Sequence, residues 1–133
     1  MRSVLLDTHA WAWSLTGDAR LSVRATSAMT EAETVFVSAI SLFEIGQKVR
    51  LGKWPEMEPF LHRLVELAEE QGARLVPLSA EASLLAATLP WAHRDPFDRI
   101  IGATAMAKGL TLVSADAAFE GLAGEPKWPG RLW

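Results

Sequence analysis

The chain has no cysteine, so disulfides, thiolate nucleophiles and zinc–thiolate centres are excluded from the outset. Its three histidines, His9, His62 and His93, are too scattered for a zinc helix with ligands one turn apart. No apolar run approaches the roughly 18–20 residues that cross a bilayer, so no membrane association is expected. An acid arrives at Asp7, too early for a secretory leader, and a cytoplasmic setting is the default expectation. An excess of positive charge is also missing. Thirteen Lys and Arg stand against 16 Asp and Glu, for a net charge of -3, whereas nucleic-acid binders are usually basic. That argument is reversed if several of the acids hold divalent cations, so the positions of the acids matter more than their number.

What remains is a length of 133 residues, half of them hydrophobic and 22% charged, enough for one core. Without repeats, low-complexity tracts or Gly/Ser linkers, residues 1–133 read as a single domain. Short apolar runs recur at Val4-Leu5-Leu6, Val35-Phe36-Val37, Arg74-Leu75-Val76 and Leu110-Thr111-Leu112-Val113, each stopped by polar or turn residues. Helical patterns lie between them. From about Pro59 to Gln71 the period is 3.6, with Phe60, Leu61, Leu64, Val65, Leu67 and Ala68 inward and Gly72 as the stop. Ile40 to Leu51 follows an N-cap at Ser38, and Phe97 to Lys108 ends at Gly109. Ser22 to Ala32 and Ala80 to Leu89 are further helical stretches. Strands alternating with helices predict an α/β fold, with a mainly parallel sheet of four to five strands covered on both faces.

Right-handed crossovers put the C-terminal ends of such strands on one edge, and that edge carries the site. Asp7 ends the first strand, Glu44 lies one turn into the helix after the second, Asp98 opens the helix before the fourth, and Asp116 follows the fourth. Each acid has an ordinary structural use. Asp7 and Asp116 suit helix caps, Glu44 can pair with Lys48 at i+4, and Asp98 favours a helix N-terminus. In Asp95-Pro96-Phe97-Asp98, Asp95 fits the N-cap and Pro96 the first helical position. Convergence of four carboxylates on one edge is harder to explain that way, because clustered charges repel unless a cation occupies them. Oxygen ligands alone favour a hard ion, Mg²⁺ or Mn²⁺, and such ions serve phosphodiester cleavage. Thr8 and Ser114 place hydroxyls beside these acids, Ser114 being the better suited to orient a ligand.

At this point the motifs resemble those of the PIN-domain ribonucleases, specifically the VapC-like toxins of type II toxin–antitoxin pairs. Leu5-Leu6-Asp7-Thr8-His9-Ala10-Trp11-Ala12-Trp13 is similar to that family's LLDTHALLW opening. Val37-Ser38-Ala39-Ile40-Ser41-Leu42-Phe43-Glu44-Ile45 is similar to its VSAxSLWEI segment. His93-Arg94-Asp95-Pro96-Phe97-Asp98-Arg99 and Leu112-Val113-Ser114-Ala115-Asp116 resemble its HRDPFDR and LVTxD motifs. The resemblance implies a three-layer α/β/α fold, metal-dependent cleavage of RNA and a cognate antitoxin as partner. It implies that Asp7, Glu44, Asp98 and Asp116 are the metal-holding and catalytic acids, with Asp95 in support. The closing Lys127-Trp128-Pro129-Gly130-Arg131-Leu132-Trp133 departs from the family's apolar last strand by a glycine and a charge.

Arg94 and Arg99 flank Asp98 and are placed to neutralise it or to meet phosphate, better than Lys48, Arg50 and Lys53 after Glu44, which read first as a solvated helix end, where cations are favoured. Six Trp without any Tyr is unusual, and Trp11, Trp13 and Trp54 are expected to include contacts to an antitoxin or a second copy in a homodimer. His9 and His93 read as structural. A haloacid-dehalogenase-type phosphatase would need an acid where His9 stands. A nuclease of RNA maturation and a catalytically silent PIN module remain as alternatives.

Overall fold

The computed structural model describes residues 2–133. Five parallel strands form one sheet: β1 (Val4–Leu6), β2 (Val35–Ser38), β3 (Arg74–Val76), β4 (Thr111–Val113) and β5 (Arg131–Leu132). Their order is β3-β2-β1-β4-β5, so the chain winds outward in one direction and then in the other. The reversal lies between β1 and β4, where Leu6 is in register with Val113 and the Asp7 amide donates to the Val113 carbonyl at 3.1 Å.

Alternation along β1 feeds two cores. Val4 and Leu6 join Trp11, Val37, Ile45, Met57 and Leu64 on one face. Leu5 joins Leu112, Ile101, Ala105, Phe119 and Leu122 on the other. The first face is covered by α1 (Thr8–Thr16), α2 (Val23–Glu31), α3 (Ala39–Arg50) and α4 (Leu64–Glu70). The second is covered by α5 (Ala80–Thr88) and α6 (Pro96–Lys108). This is the three-layer α/β/α arrangement expected from the strand and helix pattern.

The predicted boundaries hold where caps define them. Ser38 accepts from the Ile40 amide, Asp95 accepts from those of Phe97 and Asp98, and Gly109 ends α6 at φ 65°. The helix expected from Pro59 differs. Residues Pro55–Arg63 form a 3-10 helix, and only from Leu64 does the α-helix begin. Pro59 has no amide proton to continue an α-helical ladder, so the turns around it tighten instead. The short α-helix buries the stripe through Leu64 and Ala68, and Val65, about 100° around from Leu64, is 50% exposed rather than inward. The final strand forms despite its charge: Arg131 points its guanidinium at the Glu120 carboxylate and the Ser114 carbonyl, with Gly130 before it at φ 109°.

Candidate active site: an acid-lined cleft at the switch point

The cleft beside the β1–β4 reversal has a volume of about 370 Å³ and is lined by Asp7, Glu44, Asp98, Asp116, Asp95, His9, Trp13, Arg20 and Lys48. All four acids singled out in the sequence therefore face one space. Asp7 is 5% exposed and held on both oxygens: Oδ1 accepts from the Ala10 amide and Oδ2 from the Ser114 hydroxyl. Ser114, itself wholly buried, takes the Asp116 amide on its Oγ at 3.0 Å. It thus links the acids that follow β1 and β4. Asp116 caps the 3-10 turn over Ala117–Leu122 through the Ala118 amide and remains exposed.

Glu44 lies in α3 and is 3% exposed. Its Oε2 accepts from Lys48 Nζ at 2.6 Å, while its Oε1 is buried with no hydrogen-bond partner among the described residues. A buried carboxylate oxygen without a partner is costly. The i+4 pairing with Lys48 is real, but it is no solvated-surface contact.

Burial pushes the Asp7 carboxyl up to about 7, against the lowering effect of its Ser114 and Ala10 bonds, with Asp98 and Glu44 adding repulsion. Burial likewise raises Asp98 to about 6; its His93 bond opposes the shift, and Asp95 and Glu44 reinforce it. Desolvation in the cleft, then the Lys48 charge, lowers the His9 imidazole below its ordinary value.

His93 escapes a reading based on sequence alone. Its Nε2 lies 2.7 Å from Asp98 Oδ2, and His93, Asp98 and Asp116 can each present a ligand atom within 4.8 Å of the others. The signal was the five-residue step from His93 to Asp98 across the Asp95-Pro96 helix start, which folds the loop back on the first turn. The donor set fits a hard divalent cation: carboxylate oxygens dominate, one of them is buried and unpaired, and burial disfavours the anionic form of two of the carboxyls.

Several expectations are corrected here. Arg99 does not present its guanidinium to phosphate. It donates to the carbonyls of Ala86, Leu89, Trp91 and His93 at 2.7–2.9 Å, tying the loop that carries His93 onto α6. Arg99→Lys is therefore expected to cost about 2 kcal/mol of stability in denaturant titration, since an ammonium cannot reach four diverging acceptors. An unchanged midpoint would return Arg99 to a role in ligand binding. Arg94 is exposed and lines a separate groove with Ser83, Ala87 and Pro96, away from the acids. The Thr8 hydroxyl is buried and bonds that of Ser41 at 2.9 Å, across the α1–α3 contact, and Thr8 is not among the residues lining the cleft. Trp11 is fully buried, its indole nitrogen donating to Gln71, so it is core and not a partner contact.

Fold and cleft together define an α/β protein with an acid-lined site at its switch point. The chain belongs to the PIN-domain family, whose model matches residues 4–125. It is 36% identical over 117 residues to Ribonuclease VapC22 of Mycobacterium tuberculosis, covering 87% of this chain and 88% of that protein. Among solved structures it is similar to VapBC2 from Rickettsia felis bound to a promoter DNA fragment (TM-score 0.67, 16% identity, 98% of each chain). It is also similar to FitAcB from Neisseria gonorrhoeae (TM-score 0.65, 23% identity, 90% of this chain and 93% of that one). A third is VapC20 of Mycobacterium tuberculosis, described as a sarcin-ricin loop cleaving toxin (TM-score 0.63, 19% identity, 91% and 95%). At these identities the structures speak for the fold. Among the described residues no helix is long and apolar enough to cross a membrane.

Proposed function

We propose that this chain is a metal-dependent endoribonuclease, the toxin of a toxin–antitoxin pair, acting in the cytoplasm. The observation that carries this reading is the buried, unpartnered Glu44 Oε1 in a cleft with Asp7, Asp98 and Asp116. Similarity over most of the chain to a protein named as a ribonuclease supports the substrate class. Asp7, Glu44 and Asp98 would hold Mg²⁺ or Mn²⁺, with Asp116 assisting. A bound ion of this kind supplies a nucleophilic water at neutral pH and charge stabilisation on the phosphoryl oxygens.

The chain's own residues prepare that site. Ser114 and the Ala10 amide hold both Asp7 oxygens in one rotamer. His93 fixes Asp98 Oδ2, and Asp95 caps the helix that presents Asp98. Lys48 neutralises one oxygen of Glu44 and leaves the other toward the ligand. The partner is proposed to be a small antitoxin that covers the cleft and offers a cation to the acids; the similarity in fold to chains from toxin–antitoxin complexes supports this. A homodimer is compatible with the exposed Phe43 on α3 and the exposed Leu51 that follows it.

One experiment tests both halves. The pure chain is incubated with total RNA in Mg²⁺ or EDTA, alone or co-purified with the product of the adjacent reading frame. Cut ends are expected only for the free chain in Mg²⁺. Absence of cleavage under all conditions defeats the ribonuclease. Cleavage without any co-purifying partner defeats the toxin assignment and favours a role in RNA maturation.

A further inference from the structure

Beside the acids, the cleft is lined by two aromatic rings, those of His9 and Trp13. His9 is exposed at the cleft although it follows the buried Asp7 by only two positions. Its imidazole stacks on Trp54, with ring centroids 4.7 Å apart and planes inclined by 28°. Trp13 closes the corner, 5.6 Å from His9 and tilted to it, and is braced from behind by Trp133 at 5.7 Å. Trp54 packs against the core formed with α1 and α3, so the backing of His9 is fixed rather than loose. Two cations sit on these rings, Arg20 4.8 Å from the Trp13 centroid and Lys48 Nζ 5.6 Å from that of Trp54, each also paired with a carboxylate, Arg20 with Asp18 at 2.8 Å and Lys48 with Glu44 at 2.6 Å. Arg20 and Lys48 also line the acid cleft, and a neighbouring cleft of about 160 Å³ continues past Trp13, Arg20 and Trp54 to Met57.

We infer that His9, backed by Trp54 and flanked by Trp13, is a stacking platform for one unpaired nucleobase of the RNA strand, next to the phosphate presented to the acids. The inference rests on the ribonuclease reading for the identity of the polymer and adds to it a subsite and its ligand chemistry. Single-stranded nucleic acid is held by two features in combination, aromatic faces for bases and cations for the backbone. Both occur around His9. The carboxylates offer no face to a base, and phosphate approaches them only through a bound cation. A strand entering the cleft is thus oriented, with its phosphate toward the acids and an adjoining base on His9. A base held inside a duplex cannot present its face in this way, so the platform selects single strands and loops.

The His9 side chain is exposed, so its replacement leaves the fold intact, a point checked by melting. Binding of a labelled single-stranded RNA octamer is measured in EDTA by anisotropy, where no cleavage intervenes. His9→Ala is expected to weaken binding about tenfold, within the range for loss of one stacked base. His9→Phe keeps an aromatic face and is expected to stay within about twofold of wild type. An octamer with the same charge but abasic sugars should bind wild type as weakly as the intact octamer binds His9→Ala. Equal affinity of wild type for intact and abasic octamers overturns the platform, as does His9→Phe behaving like His9→Ala. Failure of wild type to bind the octamer also overturns it. Cleavage in Mg²⁺ is assayed in parallel. Base-dependent binding without cleavage would sustain the platform and defeat the nuclease, whereas cleavage with base-independent binding would do the reverse.

Discussion

Asp7→Asn is expected to cut RNA at least about a hundredfold more slowly than the wild type in Mg²⁺, while keeping its fold. Loss of residues that merely support a metal ligand already costs about 10–100-fold, and loss of a ligand costs more. The fold survives because asparagine retains the carbonyl oxygen that accepts the Ala10 amide, so α1 keeps its cap. Its new amide can donate to the Ser114 Oγ, which accepts the Asp116 amide in the native protein. Ser114→Ala should fall between the two, about tenfold slower, because Asp7 then loses one of its two tethers. The measurement is initial rates on a defined RNA at saturating Mg²⁺, with melting curves for each variant. Full activity in Asp7→Asn would remove Asp7 from the metal site and with it the reason for its burial.

The position of Asp7 was legible because a parallel strand of three apolar residues ends there, and the ends of such strands share an edge. The convergence of Asp7, Glu44, Asp98 and Asp116 follows from topology, which in turn follows from strand–helix alternation. Side-chain fates beyond that are set by packing, which no local pattern reports. Trp11 and Trp13 sit two apart on one helix and so about 200° apart around it; one is fully buried and the other lines the cleft, and which of the two turns inward is decided by packing. Arg99 looked like a phosphate ligand from its place beside Asp98, but the loop at residues 89–93 turns three carbonyls toward it and α5 a fourth, that of Ala86. Such a cage depends on the path of an irregular segment. His93 became part of the site through the same loop. Val65 lies outward because the seven-residue helix buries only the narrow stripe through Leu64 and Ala68.

Asp98→Asn is expected to melt higher than the wild type in EDTA at pH 7.5, and to lose most of the rise that Mg²⁺ gives the wild type. The folded carboxyls of Asp7 and Asp98 are raised to about 7 and about 6 from an ordinary value of 3.8. The folded state therefore binds these protons more tightly than the unfolded chain. That contribution to stability is full below about pH 4 and is lost as pH climbs through about 6 and 7. The metal-free wild type should become less stable over that interval. Asp98→Asn has no anion to desolvate at this position, so its decline should be shallower, the remaining slope belonging to Asp7. The gain at pH 7.5 is about 1 kcal/mol, or about 4 °C for a chain of this length, allowing for the His93 bond that already compensates part of the cost. Mg²⁺ stabilises by mass action only where ligands hold it, so the variant forfeits that increment. Asp95→Asn supplies the contrast. Its side chain caps α6 through the Phe97 and Asp98 amides, a task asparagine performs about as well, and the cation-dependent rise should remain. Melting curves across pH 4–8 with and without Mg²⁺ decide the matter. If Asp98→Asn melts lower than wild type in EDTA, Asp98 serves the helix start and the cation is held by other residues. If Asp95→Asn loses the Mg²⁺ response as well, the division between cap and ligand at this helix start is wrong.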